Sequence, residues 1–215
     1  MKRMLRIVAG AAVAMALALA AAPPASARPD IALSADQIGI VQQINAYLTG
    51  LRSLKGRFTQ RGPAGQFTEG DFYLQRPGRM RFEYAPPNPI LVIADGFWVG
   101  IEDRKLRSTQ KYPLAATPLS LLLGERVDLL EKARIIGYEE KDGEISVTLE
   151  AKAGTTPGQL TLIFGLPNIN LKRWTVVDAQ GLSTEVNFFD MVTGLSLNPK
   201  LFWIDDHLLL DMNER

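Results

Sequence analysis

Between Leu54 and Thr109 apolar and polar residues alternate with a period of two, and turn residues punctuate the alternation roughly every 8 to 12 positions. That pattern predicts consecutive antiparallel strands. The clearest is Arg79 to Tyr84, in which Met80, Phe82 and Tyr84 share one face while Arg79, Arg81 and Glu83 share the other. Strands are predicted before it over Leu54 to Arg61 and Gln66 to Gln75, separated by Gly62-Pro63-Ala64-Gly65. After it they are predicted over Pro89 to Ala94, Phe97 to Ile101 and Lys105 to Thr109. The Asp95-Gly96 pair reads as a hairpin turn whose two central residues take positive φ. The alternation resumes over Arg134 to Glu140, the Asp142-Gly143 turn, Glu144 to Ala151 and Gln159 to Gly165, then Leu171 to Val177, Leu182 to Asp190 and a last segment at Leu201 to Asp205. In this second series Ile145, Val147 and Leu149 share a face, as do Leu160, Leu162 and Phe164.

Two stretches have helical spacing instead. Ser34 followed by Gln37 makes a capping box, and Ile38, Val41, Ile44, Tyr47, Leu48 and Leu51 form a broad apolar stripe that Gly50 is placed to end in the left-handed conformation. Further on, Thr117 is a natural N-cap, Pro118 fits the first helical position, and Gly124 closes a short helix that Glu125 to Lys132 extends. Leu119, Leu121, Leu122 and Leu123 leave that helix almost no polar face, so it is buried or covers an apolar surface. About a dozen strands and two helical pieces, with no linker or long repeat, fit one curved antiparallel sheet rolled toward a barrel.

The first residues stand apart. Lys2, Arg3 and Arg6 precede an Ala/Leu/Val run from Ile7 to Ala22, Pro23-Pro24 breaks it, and Ala25-Ser26-Ala27 offers a peptidase site. Residues 1–27 read as a cleaved secretory signal, and 28–215 as one domain. Lys plus Arg total 24 against 23 for Asp plus Glu, so no field gathers nucleic acid, and loss of the signal leaves the remainder faintly acidic. There is no cysteine and one histidine, His207. That excludes disulfides, thiolate metal sites, a cysteine nucleophile and a lipid anchor through cysteine, and nearly closes histidine-based hydrolysis and multi-histidine metal binding.

The remaining candidate chemistry is sparse. Asp205-Asp206-His207 lacks a second histidine and reads as a solvated strand end, and Glu139-Glu140 and Glu125 to Asp128 read as solvated charge. Gly62 to Gly65 lacks a phosphate-loop lysine and is a turn. Arg76, Arg79 and Arg81 with Trp98, Trp174 and Trp203 make no basic groove. No catalytic residue, metal or cofactor is expected. Met80, Phe82, Tyr84, Ile145, Val147, Leu149, Leu160, Leu162 and Phe164 instead share the concave face of one sheet, either as an ordinary packed core or as the lining of a cavity for an apolar guest.

In identity and order, several motifs resemble the periplasmic lipoprotein-carrier family of Gram-negative bacteria (LolA). They are Phe58-Thr59-Gln60; Gly70 with Phe72, Leu74 and Arg76-Pro77; Arg81-Phe82-Glu83-Tyr84 with Pro87; Asp95-Gly96; and Thr117-Pro118-Leu119 with Leu122-Leu123. The resemblance covers most of residues 34 to 125. It implies a mainly β fold with an α lid, an unclosed antiparallel β-barrel of about 11 to 12 strands covered by short helices. It also implies a monomeric periplasmic carrier that takes acylated lipoproteins from an inner-membrane ATP-driven release complex to an outer-membrane acceptor or to the outer membrane directly. The absence of cysteine favours this carrier over the family's lipid-anchored receptor. A carrier of another lipid, such as a glycolipid or hopanoid, and a lipid-sensing regulatory module are the alternatives on the same fold. With that resemblance, Arg76 becomes the candidate gate: Pro77 holds it extended at a strand end, and its donors can bond carbonyls at the ends of lid helices carrying Leu119, Leu122 and Leu123.

Overall fold

The structure, a computed structural model, describes residues 30–152, 158–178 and 180–205. The signal at 1–27 and the tail with Asp206 and His207 lie outside the described residues. Six strands follow one another as hairpins: β1 (Ser53–Arg61), β2 (Phe67–Gln75), β3 (Arg79–Tyr84), β4 (Ile90–Asp95), β5 (Trp98–Asp103) and β6 (Ser108–Pro113). Five more do the same: β7 (Ala133–Lys141), β8 (Glu144–Ala151), β9 (Gln159–Gly165), β10 (Asn170–Val177) and β11 (Ser183–Thr193).

All belong to one antiparallel sheet of 11 strands in the order β6-β5-β4-β3-β2-β1-β11-β10-β9-β8-β7. The first and last strands meet at its centre, with Phe58 opposite Phe188 and Gln60 opposite Val186. Consecutive β6 and β7 are therefore the two free edges, and the barrel stays unclosed. Register shifts at Lys55/Arg57, Ile135/Gly137 and Leu171/Arg173 add local twist and bend the sheet. One face becomes concave and apolar.

Helix α1 (Ala35–Gly50) lies in that concavity with Val41, Ile44 and Leu48 buried. Its start is the expected capping box: Ser34 Oγ accepts from Gln37 N at 3.2 Å and Gln37 Oε1 accepts from Ser34 N at 2.9 Å. Residues 114–132 then cross from edge β6 to edge β7, carrying a 3-10 turn Leu114–Ala116, α2 (Ser120–Leu123) and α3 (Leu129–Lys132).

Several local expectations are corrected. Gly50 remains helical, and Leu51 is the C-cap with φ −73°. Thr117 is not the N-cap of α2 but closes the preceding 3-10 turn, its hydroxyl donating back to Leu114 O at 2.9 Å, and Gly124 has φ −56°, outside the left-handed region. Glu125 to Lys132 do not extend α2, since α3 is a separate turn whose N-cap, Asp128, accepts from Glu131 N at 3.1 Å. The strand expected over Lys105 to Thr109 starts later, because Asp103 Oδ1 gathers the amides of Lys105 and Leu106 into a turn and Arg107 has φ 53°. At Asp95-Gly96 only Gly96 has positive φ, while Asp142-Gly143 has it at both residues.

Leu201 to Asp205 is not a strand. Pro199–Phe202 is a 3-10 turn that buries Phe202 on the convex face against Leu91 and Ile93, an apolar strip the concave helices cannot reach. The segment lies so close that a Cβ on Gly100 would stand 2.8 Å from Ile204.

Two glycines test this packing. A Cβ on Gly70, paired opposite Tyr84, would stand 2.0 Å from Glu83 O, so Gly70→Ala must part β2 from β3. It is expected to cost more than about 2 kcal/mol, whereas Gly39→Ala in α1, with nothing within 4 Å, is expected to gain about 1 kcal/mol from helix propensity. Urea midpoints of the two variants check both signs.

Candidate functional site

The nine concave positions read from strand parity do come together. Met80, Phe82 and Tyr84 on β3, Ile145, Val147 and Leu149 on β8, and Leu160, Leu162 and Phe164 on β9 belong to one buried cluster with α1. At its heart Phe82 meets four aromatics that parity alone did not single out, Phe58, Phe72, Trp174 and Phe188. Among these, ring centroids are 4.8 Å apart for Phe58 and Phe82, 4.7 Å for Phe72 and Phe82, and 4.8 Å for Trp174 and Phe188. Their signal was the alternation of β1, β2, β10 and β11, where each shares a face with another apolar residue. Here the concavity is filled by the chain's own helices.

The lid is apolar toward that cluster, with Leu119, Leu121, Leu122, Leu123, Val127 and Leu129 all buried. Its polar ties run mostly to α1. Val127 N donates to Thr49 Oγ1 and Leu129 N to Asn45 Oδ1, both at 3.0 Å. Two α1 side chains thus satisfy lid amides that the short helices leave without carbonyl partners. Sequence reading missed Asn45 and Thr49 because they sit beside an apolar stripe with no motif of their own.

Arg76, at the end of β2, joins lid, α1 and sheet. Its Nε donates to Leu51 O at 3.0 Å, and its Nη1 to Leu122 O and Gly124 O at 2.5 and 2.6 Å. Nearby, Gly78 N donates to Leu123 O at 2.7 Å, so three successive lid carbonyls are held by one β-turn. Among the described residues no carboxylate pairs with Arg76, although it is buried. Burial pulls its guanidinium down to about 10, and the like charge of Arg52 adds to the fall. The closed lid thus holds a desolvated cation on neutral acceptors alone.

Polar groups also mark the flanks. Tyr84 OH donates to Gln60 Oε1 at 2.7 Å inside the core, and burial pushes the phenol up to about 12, partly offset by that bond. On the convex face Glu102 is buried and accepts from Asp205 N at 2.9 Å, while Arg81 Nη1 reaches Leu201 O at 3.0 Å. Burial raises the Glu102 carboxyl. These two side chains pin the C-terminal segment outside the sheet. Among the described residues no group of three or more His, Cys, Asp or Glu is placed to hold a metal ion. Asp205 lies on the convex face, away from the concave cluster.

An unclosed antiparallel half-barrel with an apolar concave face, a central helix and a latched lid defines a mainly β, helix-covered class of protein. Residues 49–205 match the family described as outer membrane lipoprotein carrier protein LolA. Outer-membrane lipoprotein carrier protein of Methylococcus capsulatus is 30% identical over 169 residues, covering 74% of this chain and 80% of that one. That of Cupriavidus necator is 29% identical over 208 residues, covering 91% and 90%. A LolA superfamily structure from Nitrosomonas europaea aligns with TM-score 0.45 at 11% identity, over 76% of this chain and 97% of that one. The chain belongs to the LolA family of outer-membrane lipoprotein carriers.

The Tyr84 shift has a definite sign. Between about pH 10 and about pH 12 the folded chain keeps a phenol proton that the unfolded chain has lost, so this contribution to stability is present below that window and falls as pH rises through it. Tyr84→Phe removes the effect and strands Gln60 Oε1. The variant is expected to be about 1 to 3 kcal/mol less stable at neutral pH, with the gap narrowing above about pH 10 in urea titrations at a series of pH values. A gap independent of pH contradicts the buried phenol.

Proposed function

We infer that this protein is exported to the periplasm after cleavage behind Ala27 and carries lipoproteins from the inner to the outer membrane, sheltering their acyl chains against the concave face. It receives them from an ATP-driven release complex in the inner membrane and gives them to an acceptor at the outer membrane. The wall is the strip from Met80, Phe82 and Tyr84 across to Ile145, Val147, Leu149, Leu160, Leu162 and Phe164. The cover is the lid bearing Leu119, Leu122 and Leu123, and Arg76 is its gate.

One observation carries the reading. The lid meets the strand ends through a buried arginine bonded only to backbone carbonyls at Leu51, Leu122 and Gly124. No strand pairing is lost when those bonds break, so the cover can lift while the 11-stranded sheet stays intact. Each buried methylene is worth about 0.8 kcal/mol, so an acylated protein needs an apolar shelter to cross water. Acyl chains under the lid replace the apolar contacts that the helices give up. When cargo leaves, re-forming the Arg76 bonds drives closure.

Arg76→Leu removes the donors from the closed state alone. The balance shifts toward open by about 1 to 3 kcal/mol, the usual range for bonds to a charged group. Loading is expected to persist and hand-over to fail, and Arg76→Lys to be intermediate because it keeps the charge without the fork. The assay scores lipoprotein release from spheroplasts and then transfer to outer-membrane vesicles with the same variants. Failure of the unaltered protein to release any lipoprotein sinks the carrier reading. Full transfer by Arg76→Leu sinks the gate.

A further inference from the structure

Phe97 and Trp98 sit at the β4–β5 hairpin, 81% and 44% exposed, and Trp203 follows the Pro199–Phe202 turn at 65%. Aromatics so placed add nothing to the core and leave apolar area in water until another surface covers it. Strand parity turns Trp98 to the convex face, because Val99 and Ile101 belong to the concave core. Asp95 ties the three together. Its Oδ1 accepts from the amides of Phe97 and Trp98 at 2.8 Å each, and the same residue lines a convex-face cleft of about 360 Å³ with Arg79 and Trp203. The Arg79 guanidinium has no hydrogen-bond or ion-pair partner among the described residues. Lys200 Nζ stands 5.8 Å over the Trp203 ring.

The geometry points to this hairpin tip, with the Arg79 cleft behind it, as the edge by which the protein docks on a phospholipid bilayer bearing anionic headgroups. Phe97 enters the interface, Trp98 and Trp203 lie at headgroup level, and Arg79 and Lys200 meet lipid phosphates. A projecting turn suits insertion into a fluid surface. Tryptophan has the apolar body and polar edge that settle at a membrane boundary, and the flanking cations match anionic lipid. One aromatic tip with two cations also gives weak, reversible attachment, which a carrier that must leave requires.

Continuity with the lid supports the same occupant. Phe97 O accepts from Leu114 N at 2.8 Å, where the lid segment begins. Gly96 packs against Gly78 so closely that a Cβ on Gly78 would stand 2.6 Å from Gly96 Cα, and Gly78 N holds Leu123 O at the end of α2, midway along the lid segment. Docking by this tip therefore sets the first half of the lid segment, from Leu114 to Leu123, near the membrane, so that acyl chains pass without crossing water. The inference rests on the carrier reading and supplies its membrane contact.

The test floats the full mature chain with vesicles of phosphatidylcholine alone or with added phosphatidylglycerol, and measures tryptophan quenching by brominated lipid. Phe97→Ser is expected to weaken binding roughly tenfold, the loss of one buried aromatic. Arg79→Gln is expected to weaken it on phosphatidylglycerol vesicles and not on phosphatidylcholine. Leu106→Ser, which alters a residue 70% exposed at the opposite end of β5, is the matched control and leaves binding unchanged. Binding of an acylated peptide in solution is scored in parallel. Its failure in the unaltered protein counts against the carrier reading, while its persistence in Phe97→Ser with vesicle binding lost supports the docking edge. No flotation of the unaltered chain, or equal weakening by Leu106→Ser, overturns the proposal.

Discussion

A strongly bent sheet that does not close must have its concave face covered, and the rest of this molecule follows from that constraint. Because β1 and β11 meet at the centre, the free edges are β6 and β7, which are consecutive in the chain. The connection between them has to cross the mouth. It therefore becomes the lid, and its leucines face inward because the surface beneath is apolar. Helix α1 fills the depth of the concavity and supplies Asn45 and Thr49 to receive the lid's amides.

What holds the cover is weak by design of its chemistry. Removing one partner of a buried ion pair typically costs about 3 to 5 kcal/mol, because a charge is stranded. Arg76 uses carbonyls instead, and its lowered pKa records that burial disfavours the cation it keeps there. The closed state is thus opposed by desolvation and favoured by a few hydrogen bonds and apolar contacts. On the proposed carrier reading, a dozen or so methylenes at about 0.8 kcal/mol each would compete with it.

Strand alternation made most of this fold legible. Glu144–Ala151 and Gln159–Gly165 begin and end where the period-two pattern does, because both strands pair on each side and bury Ile145, Val147, Leu149, Leu160, Leu162 and Phe164 on the concave face. The concave residues followed from parity alone. Legibility failed where a tertiary surface overrode local pattern. Phe202 looks like a strand residue in sequence, yet it covers Leu91 and Ile93, and Pro199 starts a turn instead. Thr117 has the chemistry of a cap but spends its hydroxyl on Leu114 O. Glu102 carries no motif of its own, and its role is visible only with the segment that its carboxylate holds. Trp174 looked like one of three loose aromatics and stands packed against Phe188.

If acyl cargo lifts the lid from an intact sheet, the lid moves relative to β1 while distances within the sheet hold. The chain has no cysteine, so paired spin labels can be placed without background, for example at Glu125→Cys in the lid and Lys55→Cys on β1. Pulsed electron resonance distances with and without saturating acylated peptide test the claim directly. One narrow distance is expected for the empty chain and a longer one with cargo, while a pair within the sheet, such as Lys55→Cys and Lys172→Cys, stays fixed. An unchanged lid distance at saturation contradicts it.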